Sequence, residues 1–234
     1  TFYPSWPLLN TLLLYKDGFG SQIVAPIAGT DSILSIAKSQ SSEIEKMKLI
    51  YDSVRNHMTW NNVYRKFCPD GVNDTWKKGS GSSGDINMVL INLLNKAQLK
   101  TYPLLVSQRF NGKVDTSYAY AGQFNSVFAC VEIRGQKYIL DATDKFTPPN
   151  MFPETILNTT AFLIDRISGE LLTITPDSIR YKREINLDIQ VTGDGFMKGN
   201  ALINNDGYAK IKALREYKKD SAKFQDIYLQ QQDI

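Results

Sequence analysis

The sequence predicts an α+β fold. N-terminal helices and one central helix pack with an antiparallel sheet, and a smaller β-rich segment with a C-terminal helix follows. Three observations carry this reading. Ile86, Val89, Leu90, Leu93, Leu94 and Ala97 recur at helical spacing and make one continuous apolar face. Val127, Ala129, Val131 and Ile133 alternate with Phe128, Cys130 and Glu132, and a tight turn then leads into a return strand. Ile185, Leu187, Ile189 and Val191 alternate further on, and helical spacing returns from Tyr208. At 234 residues the chain can bury a substantial core, as one domain with an appendage or as two small domains.

The elements follow in order. Ser5 is placed to cap a helix running from Trp6 through Leu8, Leu9, Leu12 and Leu13 to about Tyr15, and Asp31 to cap a short one from Ile33 to Lys38. Ser42-x-x-Glu45 reads as a capping box for a helix whose buried stripe is Ile44, Met47, Ile50, Tyr51, Val54 and Met58. Trp60 to Lys78 reads as irregular. Gly79-Ser80-Gly81-Ser82-Ser83-Gly84-Asp85 then runs directly into the central helix, Asp85 to Ala97. Strands are expected at Lys100–Ser107, Ser126–Ile133 and Lys137–Asp141. A Gly135-Gln136 loop would pair Arg134 with Lys137, set Cys130 opposite Asp141 and leave Ser126 on their face. After Pro153, Ala161–Asp165 and Glu170–Thr175 are strand-like, and the Ile185–Val191 strand turns at Gly193-Asp194-Gly195 into a partner near Phe196–Ile203. The domain boundary falls between about Thr175 and Arg183, giving 1–178 as the first domain and 179–234 as a hairpin with a helical extension that begins a further β-rich domain. In the extension, Phe224, Ile227 and Tyr228 are placed to dock on a partner surface, while Gln230-Gln231-Gln232 is expected to fray.

From roughly Trp6 to Pro153 this order of parts resembles the transglutaminase-like superfamily, a branch of the papain-like cysteine fold, and in particular its bacterial envelope members. In that family the triad cysteine lies two residues before an Asp at the helix start, and Ser83 precedes Asp85 by that spacing. The triad histidine opens the first hairpin strand after a Phe-Asn pair, and here Phe124-Asn125 is followed by Ser126. The triad aspartate closes the return strand in a Leu-Asp-x-Thr context, which matches Asp141. The resemblance therefore implies a degenerate triad, Ser83-Ser126-Asp141, in which Asp141 alone keeps the family residue. Ser83 is expected to cap the helix and Ser126 to offer its hydroxyl to Asp141.

A thiol is partly ionised at neutral pH, but a serine hydroxyl needs an adjacent base, and an aspartate without an imidazole has nothing to orient. The chain's one histidine, His57, falls off the buried stripe of its helix and reads as solvent-facing or locally bonded. Mid-strand Cys130 reads as a small hydrophobe, and Cys68 has no histidine nearby in sequence to act with. A disulfide between the two stays open, conditional on their Cα atoms approaching within about 7 Å. The expected function is a catalytically inactive binding or scaffold module within a larger exported bacterial protein. The alternative is a residual acyltransferase or hydrolase using Ser83. The expected cleft rims are the aromatic, polar segment with Trp60, Tyr64, Phe67 and Trp76 and the loop Arg109 to Phe124 with Tyr118 and Tyr120, and Asn125 is a further candidate contact. A protein, peptide or glycan ligand, and flanking domains of the same protein, are the expected partners.

Other classes find little support. Gly79-Ser80-Gly81 lacks the Gly-Lys-Ser/Thr of a phosphate loop. No Cys-x-x-Cys or calcium loop is present, and one histidine cannot build the usual zinc sites, so neither metal nor cofactor is expected. A net charge of +3 is modest, and the lysines and arginine at 210–223 are interleaved with Glu216 and Asp220, so nucleic acid binding is not expected. No run approaches the roughly 18 apolar residues of a membrane span. The absence of an initiator Met fits a processed piece of a longer protein, and the family resemblance implies periplasmic or envelope localisation.

Overall fold

In a computed structural model that describes residues 2–175 and 178–224, the chain forms two compact units, Thr1–Pro176 and Asp177–Ile234. The first unit begins with α1 (Trp6–Leu14), α2 (Asp31–Lys38) and α3 (Glu43–His57). Ser5 and Ser42 cap α1 and α3 by accepting backbone N–H bonds from Leu8 and Glu45. Two local expectations fail. Asp31 is the first residue of α2, and Thr30 at the cap accepts no helix N–H, its hydroxyl donating to the Ile27 carbonyl, while Glu45 closes no box with Ser42 because its carboxylate takes the Ser41 hydroxyl.

A two-residue strand β1 (Thr59–Trp60) pairs in parallel with β2 (Ser80–Gly81), and between them lies α4 (Val72–Lys78), in the stretch expected to be irregular. Gly71 caps α4 with no side-chain bond, so nothing in local sequence announces it. Helix α5 (Ser83–Lys96) is buried almost all round, and a reciprocal Ser82–Asp85 capping box starts it.

Behind α5 stands a five-stranded antiparallel sheet of β3 (Lys100–Val106), β4 (Ser126–Ile133), β5 (Gln136–Leu140), β6 (Thr159–Leu163) and β7 (Glu170–Ile174), in the order β5-β4-β3-β6-β7. The strand period of two divides its side chains between two cores. Leu105, Val127, Ala129, Val131 and Leu140 join the helices in the main core. Leu104, Phe128, Cys130, Ile139 and Leu163 form a second cluster. The α+β architecture, a central helix packed on an antiparallel sheet after N-terminal helices, is the one the sequence predicts.

The β4–β5 register differs from expectation. Ile133 pairs with Gln136, so the loop is Arg134-Gly135, and Cys130 faces Ile139, not Asp141. The turn chemistry explains the shift. Both loop residues take positive φ, 51° and 80°, the type I′ geometry that prefers glycine second and not first. The ladder ends at Ala129 and Leu140, so Asp141 lies beyond it.

In the second unit, β8 (Tyr181–Val191) and β9 (Met197–Gly207) form an antiparallel hairpin, followed by α6 (Tyr208–Lys219). Its turn closes with the Thr192 N–H on the Phe196 carbonyl, and Gly195 supplies a positive φ. Tyr208, Ala209 and Ile211 of α6 are buried, whereas Lys210 and Lys212 are exposed. Phe224 packs edge-on against Tyr217, but Ile227, Tyr228 and Gln230–Gln232 lie outside the described residues.

Candidate functional site

The first turn of α5 is where the sequence motifs converge. The capping box assigns the cap to Ser82, so Ser83 is the first helical residue and not the cap expected for it. The Ser83 hydroxyl donates to the Arg65 carbonyl at 2.9 Å and accepts the Arg65 N–H at 2.9 Å and the Ser126 hydroxyl at 2.9 Å. A hydroxyl has one proton and two lone pairs, and all three are engaged. Ser83 and Ser126 are both buried.

Asp141 is buried too, but no hydrogen bond joins it to Ser126, contrary to expectation. Its Oδ1 accepts from Asn87 Nδ2 at 2.9 Å, from the Thr143 N–H at 3.0 Å and from the Thr143 hydroxyl at 2.7 Å. Asn87 also accepts the Ala142 N–H at 2.8 Å, so one amide locks the end of β5 to the helix. Burial pushes the Asp141 carboxyl above the usual carboxylate range, and the Asn87 and Thr143 bonds act against that rise. Asn87 was not among the residues singled out from the sequence. Its signal was available: a polar residue one turn after Ser83, inside an otherwise apolar helix.

The segment between β1 and α4 lies over this turn. Asn61 donates its N–H to the Gly81 carbonyl, Ser83 donates its own to the Val63 carbonyl at 2.9 Å, and Arg65 closes the series on the Ser83 hydroxyl. Lys66 reaches further, with Nζ 2.9 Å from the Phe124 carbonyl just before β4, and burial pushes its ammonium below the usual lysine range. The Tyr64 ring meets Phe110 of the β3–β4 connection at 5.0 Å. The two expected rims thus touch each other across the site.

The other expected contact residues divide. Trp60 packs on Tyr64 and donates Nε1–H to the Val63 carbonyl, so both belong to the covering segment. Trp76 is buried and stacked on His57, a core residue and not a rim. Tyr118 and Tyr120 pack against Phe2 near the N-terminus. Asn125 accepts the Gln108 N–H on Oδ1 and donates Nδ2–H to Gln108 Oε1, at 3.0 Å each, so it ties the start of β4 to the end of β3.

His57 is locally bonded. Its Nε2 lies 2.8 Å from the Trp76 carbonyl, and because a carbonyl only accepts, that nitrogen carries the proton. Cys68 lies in the main core and Cys130 in the second cluster. Both are free thiols, no disulfide joins them, and burial pushes each up to about 12. Among the described residues no cluster of three His, Cys, Asp or Glu side chains could hold a metal ion, and no helix is long and apolar enough to cross a membrane. Beside the covered turn lies an open polar pocket of about 470 Å³, with Asn61, Arg65, Asp70, Asp74, Lys78 and Asp85 among its walls.

No protein-family model matches the chain, and no curated protein does. Among solved structures it is similar to a proposed protease from Parabacteroides distasonis, with a TM-score of 0.51 and 17% identity over 74% of this chain. A proposed cysteine protease from Cytophaga hutchinsonii matches with a TM-score of 0.37 and 12% identity over 79% of this chain. The chain spans 32% of the length of the first and 53% of the second. At such identity the first likeness concerns the fold, which is that of a protease-like α+β core.

Proposed function

We propose that this chain is a transglutaminase-like domain without catalysis, serving as a binding or scaffold module within a larger exported bacterial protein. One observation carries the proposal: the Ser83 hydroxyl directs its proton at a main-chain carbonyl, not at a base. A serine becomes a nucleophile when a neighbouring group can take that proton. A peptide carbonyl is far too weak a base, and the chain's one histidine holds the Trp76 carbonyl instead. Asp141 has no imidazole to orient and is held by Asn87. The open polar pocket beside the turn, with carboxylates and cations on its walls, supports the binding half of the proposal.

The test pairs a fluorophosphonate probe with an amine-incorporation assay on the native chain and on Ser83→Ala. Neither labelling nor turnover is expected to depend on Ser83. Labelling that disappears in Ser83→Ala would move the assignment to a serine hydrolase or acyltransferase. Envelope localisation is part of the same proposal, and fractionation of the source cells checks it: recovery of the chain in the cytosolic fraction contradicts it.

A further inference from the structure

We propose that residues 63–66 are an autoinhibitory strap that occupies the cleft as an extended peptide, and that the ligand which displaces it is likewise an extended polypeptide main chain. This rests on the binding role proposed above and specifies its ligand class. The contacts are made by backbone. Thr59 and Asn61 donate their N–H groups to the Gly79 and Gly81 carbonyls, the Val63 carbonyl takes the Ser83 N–H, and Arg65 uses both its N–H and its carbonyl on the Ser83 hydroxyl. The strap side chains contribute less: Val63 is 41% exposed, Tyr64 is 39% exposed and Arg65 is exposed. A surface that engages main chain while leaving side chains in solvent accepts extended peptides with little regard to sequence, as strand addition does.

The receiving surface is shaped for a backbone. A methyl group on Gly84 would lie 2.5 Å from the Phe67 carbonyl oxygen and 2.8 Å from that of Arg65, so the absent side chain is what admits the strap. The strap's holds beyond the helix are Lys66 on the Phe124 carbonyl, Tyr64 against Phe110, and Trp60, which packs on Tyr64 and donates to the Val63 carbonyl. Asn62, at φ 64°, turns the chain into the strap, a left-handed conformation that asparagine tolerates better than most residues. The Ser83 N–H, covered by the Val63 carbonyl, becomes available to another carbonyl once the strap lifts.

The experiment replaces Asn62–Lys66 with a Gly-Ser linker of equal length in the full chain and titrates a fluorescein-labelled peptide with the sequence of Thr59–Phe67. Saturable binding to the linker variant is expected, at least tenfold tighter than to the native chain. A peptide N-methylated at the Arg65 amide should bind at least tenfold more weakly. No binding to a folded linker variant, or equal binding of the methylated peptide, overturns the proposal. Should the linker variant fail to fold, the rate of thiol labelling at position 83 in Ser83→Cys is compared with and without Gly84→Ala. The added methyl pushes on the strap, so labelling should accelerate at least tenfold, and an unchanged rate overturns the proposal. Serine-dependent turnover would instead remove the catalytic silence proposed above while leaving these binding and labelling outcomes as they are.

Discussion

Removing the Asn87 side chain tests the polar centre of the first unit. In Asn87→Ala two bonds disappear together: the amide donor to Asp141 at 2.9 Å and the acceptor for the Ala142 N–H at 2.8 Å. Losing a hydrogen bond to a charged group costs about 1.5 to 3 kcal/mol, and a buried N–H left without a partner costs about 1 to 3 kcal/mol. Asp141 keeps both Thr143 donors, which favours the lower end of each range, so about 3 kcal/mol is expected near neutral pH. The loss should also depend on pH. Burial raises the folded-state pKa of Asp141 above its unfolded value, so its contribution to stability is fully present below the unfolded pKa and is lost as pH rises through the folded one. The Asn87 bond opposes that rise, and deleting it raises the folded pKa further and enlarges the loss. The penalty of Asn87→Ala should therefore grow once pH rises past the native chain's raised folded pKa, because only between that value and the variant's still higher one do the two folded states bind different numbers of protons. All three tryptophans, Trp6, Trp60 and Trp76, lie in the first unit, so urea denaturation followed by tryptophan fluorescence reports this unit. A penalty under about 0.5 kcal/mol near neutral pH, the range of an ordinary surface substitution, or one that stays flat with pH, would refute the assignment.

Ser126→Ala removes one of two bonds into the Ser83 hydroxyl and leaves Asp141 untouched, so a stability loss of about 1 kcal/mol is expected by denaturation, with no change in its pH dependence. Asp141→Asn keeps an acceptor for Asn87 and Thr143 while removing the buried charge; its stability should gain on the native chain as pH rises through the folded pKa, and a falling difference would contradict the desolvation account. Cys68 and Cys130, both pushed up to about 12 by burial, should react with a thiol reagent only on unfolding, and fast labelling of the native chain would show an opening the structure lacks. Ser83→Cys combined with Ser126→His should not give efficient amine incorporation, because an imidazole must enter a wholly buried site only 2.9 Å from position 83 and the strap still covers it; robust turnover would contradict both points.

The legible parts of the fold are those in which burial repeats with the period of the backbone. Helix α5 and strand β4 place apolar residues at 3.6 and 2.0 spacing because each packs a face on the main core, and both stood out in the sequence. Helix α4 did not, since seven residues capped by a bare glycine carry neither a period nor a side-chain signal. The pairing of β1 with β2 was equally hidden, as two residues cannot alternate and a parallel partner some twenty positions away leaves no local trace. The β4–β5 register was readable in principle from turn chemistry: an Arg-Gly loop sets glycine second, and choosing Gly-Gln displaced the ladder by one residue on each strand.

The candidate site divides along a similar line. The resemblance to the transglutaminase-like triad pattern brought attention to Ser83, Ser126 and Asp141, and the first two do meet, yet which partner each would choose depended on contacts no motif encodes. Asp141 finds Asn87 because it lies past the end of its ladder and beside the helix, and Ser83 finds Arg65 because a main-chain segment lies across the first turn. Backbone contacts of that kind are almost independent of the side chains that make them, so the strap left one mark in the sequence, a glycine at position 84 where any larger residue would collide with it. The Ser83 hydroxyl's proton on a main-chain carbonyl and the strap across its N–H are separate barriers to chemistry. Supplying an imidazole leaves the helix N–H of Ser83 under the Val63 carbonyl, and lifting the strap leaves the hydroxyl without a group able to take its proton. On the proposed function binding requires only the second change, so peptide affinity should respond to the strap and not to an added imidazole.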